Sequence, residues 1–218
     1  MTTTNNPDLD PTDPYGVRCM LATGFAFYWE HRLTGDNTKR LSAAGCVENA
    51  LHRWFMPAEW DNRISMERVN ANLDAIMDAT PAALDVFDHD RKPDLAWEDI
   101  TVMCQPDCPD RHPVEHEPQP EWVNRMKPHL GRAMRHWWLM RLHERNHRYD
   151  PRFDRDNIIL ELNAAAQAAG RHMNPNPPDE TIEAIIRDIP RFVDPKSTTV
   201  TWDRLLTDMG TNDTDKAA

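Results

Sequence analysis

EWVNRMKPHLGRAMRHWWLMRLHERNHR, residues 121–148, is the stretch whose reading decides the fold. Its apolar residues Trp122, Val123, Met126, Leu130, Ala133, Trp137 and Met140 recur at the three- and four-residue intervals that place side chains along one side of an α-helix. No period-two alternation competes with them. The segment predicts one long helix, with a restart at Pro128, whose ring lacks a backbone donor.

Working outward, helical spacing continues in both directions. Residues 15–33, YGVRCMLATGFAFYWEHRL, are apolar nearly all round, as a helix at the centre of a domain is. Residues 42–55 put Val47, Ala50, Leu51, Trp54 and Phe55 on one face behind Ser42 as cap. Residues 64–79 repeat the pattern with Met66, Val69, Leu73, Ile76 and Met77 behind Ser65. Thr80 and Pro81 read as the cap and first-turn proline of a short helix through Phe87, and LAWEDITVMC at 95–104 reads as helix or strand. Beyond the long helix, 154–169 ends at Gly170. The break NPNPPDE precedes a stripe of Ile182, Ile185, Ile186 and Ile189 that Pro190 stops, and TWDRLLTDM at 201–209 ends at Gly210. The expected fold is all-α, an irregular bundle of about seven to eight helices.

Between the halves lies QPDCPDRHPVEHEPQP, residues 105–120, whose five prolines forbid a regular helix. The expected organisation is one helical domain over 15–209, with halves 15–104 and 121–209 joined by this proline-rich loop. Disordered tails are expected at 1–14 and 210–218, which carry little that could offset the entropy of ordering. A net charge of −11 and 39% hydrophobic residues describe an acidic chain with enough apolar matter for one core. No apolar run approaches membrane-spanning length and no export signal opens the chain, so the expectation is a cytoplasmic protein without a membrane partner. Four cysteines at uneven spacing suit reduced thiols or metal ligands rather than a disulfide framework.

Two clusters carry ligand chemistry. Cys104, Cys108, His112 and His116 are separated by three residues each, inside a loop whose composition offers little hydrophobic means of ordering. Thiolate and imidazole are what tetrahedral zinc prefers, and a structural zinc could order such a loop. The alternative is a solvated loop with incidental Cys and His. Cys19 and Cys46 lie on apolar helical faces and read as core cysteines.

The second cluster, His143-Glu144-Arg145-Asn146-His147, fits H-E-x-x-H on the long helix. Two histidines four apart share a face and could hold zinc, with Glu144 as general base on a metal-bound water. Over these five residues the chain is similar to the zincin metallopeptidases, a resemblance that implies a zinc-dependent hydrolase. It departs from them in the charged Arg145 and in having no familiar third-ligand motif, Glu161 being the nearest downstream acid on a helix. The same helix carries His129, His136 and His143 at seven-residue intervals, a row that borders the apolar face.

Residues 125–155 hold nine Lys or Arg against three acids, a local balance of +6 in a chain of net charge −11. Arg132, Arg135, Arg141, Arg145 and Arg148, with Trp138 read as an exposed aromatic, are the candidate partner-binding residues, toward a protein first and a nucleic acid second. The stretches RDNIILELNAAAQAAG and NPNPPDETIEAIIRDI, within Arg155 to Phe192, resemble the small helical modules at the C-terminal end of some plasmid and phage primases. That resemblance, over about 38 residues, implies an accessory nucleic-acid-binding module of a replication system. No phosphate loop, dinucleotide fingerprint or G-x-S-x-G turn occurs. The function expected from the residues is a non-catalytic helical binding or regulatory protein, with the zinc hydrolase and the replication module as alternatives.

Overall fold

The computed structural model describes residues 14–54, 64–84, 95–113, 115, 117–145, 150–195, 197, 199–210 and 212–213. Helices α1 (Pro14–Thr34), α2 (Asn37–Trp54), α3 (Met66–Ala71), α4 (Leu73–Ala83) and α5 (Leu95–Met103) precede the proline-rich connection. Helices α6 (Glu121–Arg145), α7 (Pro151–Ala168), α8 (Asp179–Val193) and α9 (Thr199–Asp208) follow it. The fold is all-α. The expected tails 1–14 and 210–218 lie for the most part outside the described residues. At the C-terminal end, β2 (Asn212–Asp213) pairs antiparallel with β1 (Arg171–His172).

Helix α1 is the centre, as its all-round apolar sequence requires. One side packs on α2 and another on α6, and α6 in turn packs along α7. Two glycines permit this closeness. A methyl group added at Gly24 would sit 3.0 Å from Cys46 Cβ and 3.2 Å from the Ala43 carbonyl on α2. One added at Gly131 on α6 would sit 3.1 Å from the backbone of Ala26 on α1. Val17, Leu21, Ala22 and Phe25 are buried with Val47, Leu51, Val123, Met126, Leu130 and Met134 in a core that extends through α7, α8 and α9. Trp202 of α9 closes it, its ring centroid 6.5 Å from both Trp122 and Phe192.

Several boundaries differ from the sequence reading for local reasons. α2 opens at Asn37, earlier than a Ser42 cap would place it, because the Asp36 carboxylate accepts from Thr38 N at 2.8 Å and caps the turn first. Ser42 bonds back to the Thr38 carbonyl at 2.9 Å. Ser65 does cap α3, accepting from Arg68 N. Thr80 and Pro81 start no new helix: both are buried within α4, and the Thr80 hydroxyl donates to the Ile76 carbonyl at 2.8 Å. The proposed continuation to Phe87 lies outside the described residues, as do Phe55 and the Trp54 side chain. Pro128 and Pro190 lie inside α6 and α8, where neighbouring packing outweighs one lost hydrogen bond. Of residues 95–104, Leu95–Met103 resolve as helix. Gly170 and Gly210 take the left-handed conformation expected of helix-ending glycines, at φ 71° and 64°.

Candidate functional site

The seven-residue spacing on α6 meets its match on α7. His129, His136 and His143 face Glu161 and Asp154, themselves seven apart on an antiparallel neighbour, so acids and imidazoles come into register. Asp154 is 2% exposed and accepts at 2.6 Å from His143 Nδ1, with His136 Nδ1 3.4 Å from its other oxygen. Glu161 meets His129 Nδ1 at 2.8 Å and Arg132 Nε at 2.9 Å, and Arg132 also reaches Glu30 of α1. Burial alone would raise the Glu161 carboxyl, but the hydrogen bond from His129 and the charge of Arg132 outweigh it and hold it below its ordinary range. His136 is shifted the other way from a surface imidazole: burial lowers it, and its bond to Asp154 recovers only part.

These contacts relocate the residues read from the sequence. Arg132 is an internal strut across α1, α6 and α7, which a partner would have to break. Arg135 is half-buried on α6. Trp138, read as exposed, is 1% exposed, its ring centroid 5.6 Å from Tyr15 with the Arg18 guanidinium 5.3 Å above it; helical phase turns it into the α1 contact. His143 is committed to Asp154 through Nδ1. Glu144 is exposed and pairs with Arg141 at 3.1 Å. Glu161 belongs to His129 and Arg132, two turns along α7 from Asp154. His147, Arg148 and the Arg145 side chain lie outside the described residues.

The connection has a means of ordering that composition did not disclose. Asn72, fully buried at the kink between α3 and α4, donates to the Met103 carbonyl at 2.9 Å and accepts from Arg111 N, gripping the loop at both ends of its first half. Arg68 donates to the Cys108 carbonyl at 2.9 Å and pairs with Asp110. Cys104 and Cys108 are both buried; burial, and then the neighbouring Cys108, push the Cys104 thiol up to about 12. His112 is exposed and His116 lies outside the described residues. Among the described residues no group of three His, Cys, Asp or Glu is arranged to hold a metal ion.

What the arrangement offers a ligand is a cleft of about 290 Å³ where the end of α6 meets the beginnings of α7 and α8. Trp137, Met140, Ile158 and Ile182 form its apolar floor, and Arg141, Arg152 and Arg155 stand around it with Glu144, Asp179 and Glu183. Arg141 lies 4.3 Å over the Trp137 ring and Arg155 pairs with Asp179 at 2.6 Å. The described residues provide no ion-pair partner for Arg152, which is exposed beside Phe153, itself 72% exposed. Comparison with protein-family models, curated proteins and solved structures finds no match to this chain. The sequence pointed at Arg141 but missed Arg152, Arg155 and the floor. The signal was there in the arginines of 152–155, but only the fold brings them beside Trp137 and Met140 of α6 and Ile182 of α8.

Proposed function

We propose that the protein is a non-catalytic binding protein that docks a partner polypeptide on the cleft between α6, α7 and α8. The observation that carries this is the conjunction of an apolar floor, an Arg152 with no ion-pair partner among the described residues and, next to it in the chain, an exposed Phe153. An aromatic left 72% exposed beside a groove is a feature of surfaces that become covered. The partner that fits is a segment with one apolar anchor for the floor and a carboxylate for Arg152. A protein is favoured over a nucleic acid because the aromatic that would stack on a base, Trp138, is buried, and Arg132 is spent on Glu30 and Glu161.

The test places a photo-crosslinking amino acid at position 153, and separately at Leu41, which is 58% exposed on α2. In extract of cells that make the protein, position 153 should capture one polypeptide that position 41 does not, and Arg152→Glu should abolish the capture. Equal capture at both positions, none at 153, or capture indifferent to Arg152→Glu would overturn the reading.

A further inference from the structure

A second cavity lies under the proline-rich connection, away from the cleft. It measures about 340 Å³, within the range of small-ligand sites. Helix α1 supplies Tyr28, Trp29 and Arg32, α4 supplies Asp78, the connection supplies Gln119, and α6 supplies Asn124 and Lys127.

Lys127 is the unusual member. It is 3% exposed, and its Nζ lies 3.7 Å from the centroid of the Trp29 ring and 3.4 Å from Asn124 Oδ1. No carboxylate among the described residues pairs with it. An ammonium held in that way is costly, and a lysine relieves the cost by giving up its proton. Burial accordingly pulls Lys127 down to about 7, against the partial support of Asp78. A neutral amine is a nucleophile, and this one borders a space large enough for a reactant. Two more polar atoms of the lining, Trp29 Nε1 and Gln119 Oε1, are buried without a hydrogen-bond partner among the described residues, one a donor and one an acceptor. Buried polar atoms are rarely left so, and a ligand with an acceptor and a donor of its own would satisfy both. Arg32, with a side chain 54% exposed and its guanidinium 3.8 Å from the Asp74 carboxylate of α4, adds a cation that Lys127 in its neutral form does not.

We propose that this cavity binds a small oxo acid, an aldehyde or ketone bearing a carboxylate, which Lys127 holds as a reversible imine. The Nζ lone pair adds to the carbonyl carbon while the carbonyl π pair moves to oxygen. That oxygen takes up a proton given up by the nitrogen, forming a carbinolamine. Loss of the hydroxyl with the second nitrogen proton releases one water and leaves the C=N bond. Arg32 receives the carboxylate, and the Trp29 ring backs the carbon chain.

The test uses glyoxylate as the probe, with borohydride to reduce any imine to a stable secondary amine, and peptide mass mapping of the full chain. Lys127 should carry the carboxymethyl group in preference to Lys39, a surface lysine that pairs with Glu30 at 2.8 Å. Other ionisable groups line the cavity, namely Tyr28 and Arg32 from α1, Asp78 from α4 and Glu117 from the connection. With these in place, labelling of Lys127 should rise through a midpoint near pH 7. Arg32→Ala should cut labelling by glyoxylate about tenfold, the loss of one charged contact, and leave labelling by acetaldehyde, which has no carboxylate, unchanged. Labelling that favours Lys39, or that leaves Lys127 unmodified in folded wild-type protein, would overturn the proposal. Equal sensitivity of the two probes to Arg32→Ala would overturn the carboxylate assignment.

Discussion

Lys127 stands four residues after Val123 and three before Leu130, so helical phase alone puts it on the buried face of α6. A cation there opposes folding, and replacing it with an apolar side chain of similar length should help. Lys127→Met is expected to raise stability by about 1–4 kcal/mol at pH 7, read by denaturant unfolding. The sign with pH follows from the direction of the shift. The folded lysine lies near 7 and the unfolded one at 10.5, so the unfolded chain binds the proton more tightly and stability is lost as pH falls toward 7. Raising the pH from 7 to 9 should therefore stabilise the wild type, by up to about 1.4 kcal/mol per pH unit, and leave Lys127→Met nearly flat. Above pH 9 the buried thiols of Cys19 and Cys104, pushed up to about 11 and about 12, oppose the trend, since their ionisation favours the unfolded chain. A wild type no more stable at pH 9 than at pH 7 would contradict this account. Two of the tryptophans gain a reason as well: Trp137 and Trp138 each lie beneath a guanidinium, of Arg141 and Arg18.

Among the elements, α1 and α6 meet where Gly131 lets one backbone touch the other. Helix propensity argues against glycine at mid-helix by about 1 kcal/mol, so its presence marks a contact no side chain fits. Gly131→Val should destabilise by about 1–3 kcal/mol through overpacking, because the neighbour is the Ala26 backbone, which cannot swing aside. Thermal unfolding would show it, and an unchanged midpoint would mean that the helices separate freely. The helices were legible in the sequence because each buries a continuous stripe, the isoleucines of α8 most plainly. Their junctions were less so. A proline was read as a boundary at 81 and 190, yet in both places tertiary packing carries the helix through it. Asn72, an ordinary polar residue in a helical window, gave no sign that it would hold the connection.

For the whole molecule, the proline-rich connection divides the sequence but not the core. Helix α6, from the second half, packs as extensively on α1, from the first, as it does on α7. Fragments 1–113 and 114–218 should each lack cooperative unfolding alone and regain helical circular dichroism when mixed. Independent folding of either would place a domain boundary there. The candidate sites were legible to a similar degree. The histidine row and the basic segment were visible as spacing and charge, but their partners Asp154, Glu161 and Glu30 lie on other helices. A one-dimensional pattern shows which residues are unusual and not which of them are already engaged.

The adjacency of α1 and α6 also bears on how the chain is made. Synthesis proceeds from the N-terminus, and roughly 110 residues separate the end of α1 from the end of α6. At about 5–20 residues per second the ribosome needs on the order of ten seconds to supply them. Through that interval the face of α1 around Ala26, which the finished protein hides against Gly131, has no mate. An all-round apolar helix thus waits with one face uncovered while its cover is still unmade, and slow codons between 34 and 121 would lengthen the exposure.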